Sequence, residues 1–142
     1  MSEVTRTRPA GPEHQVVTVA GGRGTYRRWP CGGCPWRVDQ TGMFPAEAFV
    51  HSAETAYDLS THTFACHESG TEHPAICAGF LLHGADHNLI VRMRSANGRI
   101  DLGAVHDDGF ELHVDYVAMA VANGVAADDP ALTRCRRIGE SW

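Results

Sequence analysis

Four of the five cysteines follow the pattern C-x2-C-x31-C-x10-C, at Cys31, Cys34, Cys66 and Cys77. No other feature constrains the fold as much. Two residues between Cys31 and Cys34 allow a tight turn that aims both sulfurs at one ion. Gly32 and Gly33 remove the Cβ clashes that resist such a turn, and Pro30 and Pro35 restrict the backbone on either side. A tetrahedral ion such as Zn²⁺ then needs two more ligands. Cys66, in an expected loop, and Cys77, in the first turn of an expected helix, supply them. A helix N-terminus favours thiolate. Four thiolates around Zn²⁺ leave a net charge of about −2, which Arg37 and backbone N–H groups could offset.

The same sulfurs could instead hold a [4Fe–4S] cluster, and Pro35 after Cys34 has parallels in ferredoxin-type sites. His67, and by the same reasoning His73, is a reserve ligand; a solvated histidine is the plainer reading of both. The plainer reading of Cys66 and Cys77 is a small buried residue. Cys135 sits among arginines and reads as a bystander. Trp29-Pro-Cys-Gly-Gly-Cys also suggests thiol–disulfide exchange through Cys31 and Cys34. That motif belongs at a strand end with a helix starting at the first cysteine. Pro35 and the lack of a βαβ pattern speak against it here. No H-x-x-x-H pair has the nearby glutamate of a metalloprotease, and Gly21-Gly22-Arg23-Gly24 lacks the ending of a phosphate loop.

The compartment decides what paired cysteines mean. No apolar stretch reaches the ~18 residues of a membrane span, and the N-terminus lacks an apolar signal core. A cytoplasmic location is expected, where such pairs mean metal or redox chemistry more often than disulfides. The net charge of −5 gives no overall basic footprint for nucleic acid. The local clusters Arg23/Arg27/Arg28/Arg37 and Arg134/Arg136/Arg137 could touch phosphate, although solvated surface is the plainer reading. All twelve basic residues are arginine, as in a high-GC genome.

At 142 residues the chain suggests one domain. The expected class is mainly α, with α+β possible. A flexible tail at 1–14 precedes one metal-centred domain at 15–142. That domain has an irregular cysteine-rich N-terminal half and three to five short helices. Val16, Val17 and Val19 suggest a strand. Pro45 opens a helix bearing Phe44, Ala48, Phe49 and Ala53. Pro74 opens another, from about Ala75 to His83. Leu89, Ile90 and Met93 suggest a helix ending near Asn97-Gly98, with a strand as the rival. Leu112 to Asn123 reads as a helix stopped by Gly124, and Asp129-Pro130 starts a last one through about Arg137. Trp29, Trp36, Phe44, Phe64 and Phe80 are expected inside, around the cysteines.

Pro30-Cys31-Gly-Gly-Cys34-Pro35-Trp36-Arg37, Phe64-Ala-Cys66-His67 and Cys77-Ala78-Gly79-Phe80 form three blocks. With Met119-Ala-Val-Ala-Asn123-Gly124 and Pro130-Ala-Leu, they resemble a family of small proteins of unknown function from actinobacteria, other bacteria and their phages. The resemblance spans about residues 28–136. It implies that Cys31, Cys34, Cys66, His67 and Cys77 form one functional unit, and it supplies no activity. The expected function is a non-enzymatic metal-binding protein with a structural four-cysteine zinc site. It would present a surface to a protein or nucleic-acid partner, as a phage or mobile-element accessory factor. The alternatives are an iron–sulfur redox or sensor protein and, less favoured, a thiol–disulfide protein.

Overall fold

A computed structural model describes residues 3–11, 14–20, 25–66 and 75–138, the first two spans as backbone alone. His67, His73 and Pro74 lie outside the described residues. Three strands, β1 (Glu3–Gly11), β2 (His14–Ala20) and β3 (Thr63–Phe64), form an antiparallel sheet in the order β1-β2-β3. The expected tail therefore includes β1, and the expected valine strand is β2. Four short helices follow: α1 (Ala46–Ser52), α2 (Ala78–His83), α3 (Leu89–Ala96) and α4 (Tyr116–Ala122). Helices and a small sheet coexist in one domain, which is the α+β form of the expected class. No helix among the described residues is long and apolar enough to cross a membrane.

The helix starts follow local chemistry. α1 begins directly after Pro45, which takes the N-cap position, and buries Phe49. The Asn88 side chain accepts a hydrogen bond from Val91 N–H, so 89–96 is a helix and the rival strand is excluded. Asp115 accepts from Ala118 N–H at 2.7 Å and starts α4. The expected start at Leu112 is therefore too early. Residues 111–113 are instead extended: Val38 N–H donates to Glu111 O, His113 N–H donates to Trp36 O, and Arg37 bridges to Leu112. Pairing with residues 36–38 outweighs helix propensity there. Asp129 caps only a 3₁₀ turn at Pro130–Leu132, shorter than the helix expected through Arg137.

The core is continuous. Trp36, Phe80, Tyr116, Met119, Ala120, Ala78 and Leu132 are all fully buried, and the buried cysteines belong to the same cluster. Trp36 meets Tyr116 and Phe64 edge-on, with ring centroids 5.9 and 6.1 Å apart. Its indole lies against α2. A Cβ at Gly79 would stand 2.7 Å from Trp36 Cγ, and one at Gly84 would stand 2.6 Å from Trp36 Cζ2. The two glycines let α2 approach the indole closely.

A candidate metal centre of four cysteines

Three short segments bring the cysteines together. Residues 75–77 run between 25–27 and 64–66. Tyr26 bridges to Ile76 in parallel and Ala65 bridges to it antiparallel. Ile76 N–H donates to Thr25 O, Arg27 N–H to Ile76 O, Cys66 N–H to Ala75 O, and Cys77 N–H to Phe64 O. Side chains alternate along extended backbone, so Cys66 and Cys77 share the face opposite Ala65 and Ile76. This pairing corrects the expected helix start at Ala75. The backbone is extended through Cys77, which is the N-cap of the six-residue α2. Cys77 thus stands at the N-cap of α2 rather than inside its first turn.

The Cys31–Cys34 turn follows the outer segment 25–27. Cys34 N–H donates to Cys31 O at 3.2 Å and Arg37 N–H donates to Cys34 O at 3.1 Å, so two turns follow in succession. Among the described residues the glycines with positive φ are Gly42, Gly98, Gly109 and Gly124, which do not include Gly32 or Gly33. The turn therefore does not draw on left-handed backbone. Arg37 is buried and reaches back over it. Its Nη1 donates to Cys31 O and Gly32 O, each at 3.2 Å. Nε and Nη2 form a fork onto Asp39, at 2.9 and 2.6 Å. The guanidinium lies 3.6 Å over the Phe110 ring centroid.

All five cysteines are buried and outside any disulfide. Cys34 Sγ lies 3.6 Å from Cys77 Sγ, and Cys31 engages both Cys34 and Cys66. Among the described residues no group of three or more His, Cys, Asp or Glu side chains stands in a ready metal-holding arrangement. The hydrogen bond with Cys34 raises the Cys31 pKa and, with burial, outweighs the opposite pull of Cys66. Cys31 pulls the Cys34 thiol down, but Cys77 and burial overcome it and push Cys34 well up. Cys31 and Cys34 therefore resist ionisation unless a cation compensates the charge.

Cys135 belongs to different surroundings. Its thiol donates to Ala53 O at 3.5 Å and lies 3.8 Å from Ala131 O. Burial pushes its pKa up to about 12. Of the aromatic residues expected inside, Trp36 and Phe80 are buried, and Phe44 and Phe64 are partly buried. Trp29 is the exception, half-exposed and stacked on the exposed His106 with Arg27 beside its ring. Sequence spacing could nominate Arg37 as a nearby charge, but its grip on the turn depends on Asp39 and on Phe110, 73 residues away.

No curated protein and no solved structure matches the chain. A family of unknown function, DUF6283, matches residues 26–136, a span that begins just before the cysteine turn and ends just after Cys135. The chain belongs to that family.

Proposed function

We propose that this is a non-enzymatic metal-binding protein in which Cys31, Cys34, Cys66 and Cys77 hold one structural Zn²⁺. The observation that carries the reading is the 3.6 Å separation of the Cys34 and Cys77 sulfurs, from positions 43 residues apart. Thiolates about 2.3 Å from a tetrahedral zinc stand about 3.8 Å from one another. The observed pair is already at that spacing. In a [4Fe–4S] cluster each cysteine binds a different iron, which spreads the sulfurs further apart. The close pair therefore favours a single ion over a cluster. The ion would gather the four sulfurs onto one centre and supply the positive charge that lets buried thiols ionise.

Such a centre would tie 31–34 to 64–66 and 75–77, the last two of which are joined by backbone hydrogen bonds, in addition to the core packing that all three share. Its role is structural, since apparent binding energies of about 10–16 kcal/mol at zinc-finger sites act as folding energy. The Trp29–His106 stack with Arg27, next to the turn, is the surface suited to a protein or nucleic-acid partner. A phage or mobile-element accessory role is consistent with a small domain built around one staple.

Titration of the reduced, metal-stripped protein with Co²⁺ tests the reading. The expected result is one equivalent bound, with the intense thiolate-to-metal absorption and ligand-field bands of a tetrahedral four-sulfur site. Stoichiometric Zn²⁺ should abolish the spectrum. An octahedral spectrum, or no binding by folded protein, contradicts the proposal.

A further inference from the structure

We infer that Arg37 is the positioning residue of the metal centre, setting the Cys31–Cys34 turn in its binding geometry through a guanidinium held by Asp39 and Phe110. The inference rests on the four-cysteine reading and goes beyond it, because it assigns the turn's geometry to a side chain that binds no metal.

Four observations converge on one planar group. Nη1 reaches the carbonyls of both Cys31 and Gly32. Nε and Nη2 grip the two oxygens of Asp39. The flat face covers Phe110 at 3.6 Å. The Arg37 backbone is itself anchored, by its N–H to Cys34 O and by the bridge to Leu112. The guanidinium is thus pinned by the partners on its far side while its near side holds the turn. The two carbonyls directed at Arg37 fix the 31–32 and 32–33 peptide planes, the first of which carries the Cys31 Cα, and Cys31 O also accepts the Cys34 N–H that closes the turn. A compact ammonium with no fork cannot satisfy Asp39 and both carbonyls in one plane, so lysine is not an equivalent here.

The charge and the fork can be separated. Arg37→Lys keeps the cation and loses the planar grip; Arg37→Gln loses both. Asp39→Asn leaves Arg37 in place and removes the carboxylate that aligns it. Asp39 is exposed, so this variant keeps the core intact. Zinc dissociation is read by transfer to a chromogenic chelator, and ligand geometry by the Co²⁺ spectrum.

Both Arg37 variants are expected to release zinc about 10–100-fold faster than wild type, the range typical of groups that orient metal ligands. Asp39→Asn should release it several-fold faster. The Co²⁺ ligand-field bands should shift in all three variants, which a general loss of stability would not produce. Wild-type release rates and an unshifted spectrum in Arg37→Lys and Asp39→Asn overturn the inference while leaving the four-cysteine site standing. Failure of the wild-type protein to bind Co²⁺ or Zn²⁺ overturns both.

Discussion

The burial of five thiols gives them different chemical standing according to their neighbours. Cys34 packs against Cys77 and Cys31, whereas Cys135 donates to two backbone carbonyls. Serine at position 135 can keep an O–H donor aimed at Ala53 O and should cost about 1 kcal/mol, or roughly 3 °C for a domain of this size. Serine at position 34 removes a ligand from a centre whose binding energy is folding energy, and should lower the thermal midpoint by at least ~10 °C. Equal midpoints for Cys34→Ser and Cys135→Ser would count against the site. His113 supports a second expectation. It is buried, with Nε2 3.2 Å from Thr41 Oγ1, and burial lowers its pKa despite the opposing pull of Glu111. The unfolded chain then takes up its proton first, near the ordinary histidine value of about 6.5. The stability held by neutral His113 is complete above that value and is lost as the pH falls below it, toward the lowered folded-state pKa. Melting curves between pH 7.5 and pH 5 should show a smaller acid-side loss for His113→Gln than for wild type. Parallel curves would refute the assignment.

Helices and extended segments differ in how far local sequence reveals them. The stop at Asn97-Gly98 and the one at Asn123-Gly124 are visible because Gly98 and Gly124 adopt positive φ, +80° and +102°, which side-chain-bearing residues rarely do. The starts at Asn88 and Asp115 are visible as side-chain caps. The extended backbone at 75–77 is not visible, because its partners lie at 25–27 and 64–66 and nothing local announces them. The same holds for 111–113, which pairs with 36–38. Spacing alone pairs Cys31 with Cys34; Cys66 and Cys77 join them only through the expected compartment, the cysteine count and the family resemblance, and the approach of Cys34 to Cys77 depends on non-local packing. Gly79 is a further case: it reads as a weak helix residue, and its reason is Trp36 Cγ at 2.7 Å from any added Cβ. Gly79→Ala gains up to about 1 kcal/mol of helix propensity, but the overpacking against a fully buried indole should cost about 1–3 kcal/mol. Denaturant unfolding should therefore give a lower midpoint than wild type. A midpoint at or above wild type would contradict the close approach of α2 to Trp36.

The whole molecule joins one aromatic core to one cluster of thiols. Trp36 is two residues from Cys34 and lies against α2, which begins just after Cys77. Phe64, two residues before Cys66, packs on Trp36, Phe80 and Tyr116. Trp36, Phe64 and α2 thus each stand within two residues of a cysteine, and a metal bound by those cysteines would lock this part of the core. Elemental analysis with a visible spectrum, on protein purified anaerobically without added metal, tests this most directly. One zinc per chain in a colourless sample is the predicted result. Folded protein free of metal, or brown protein carrying iron with broad absorbance near ~400 nm, would contradict it.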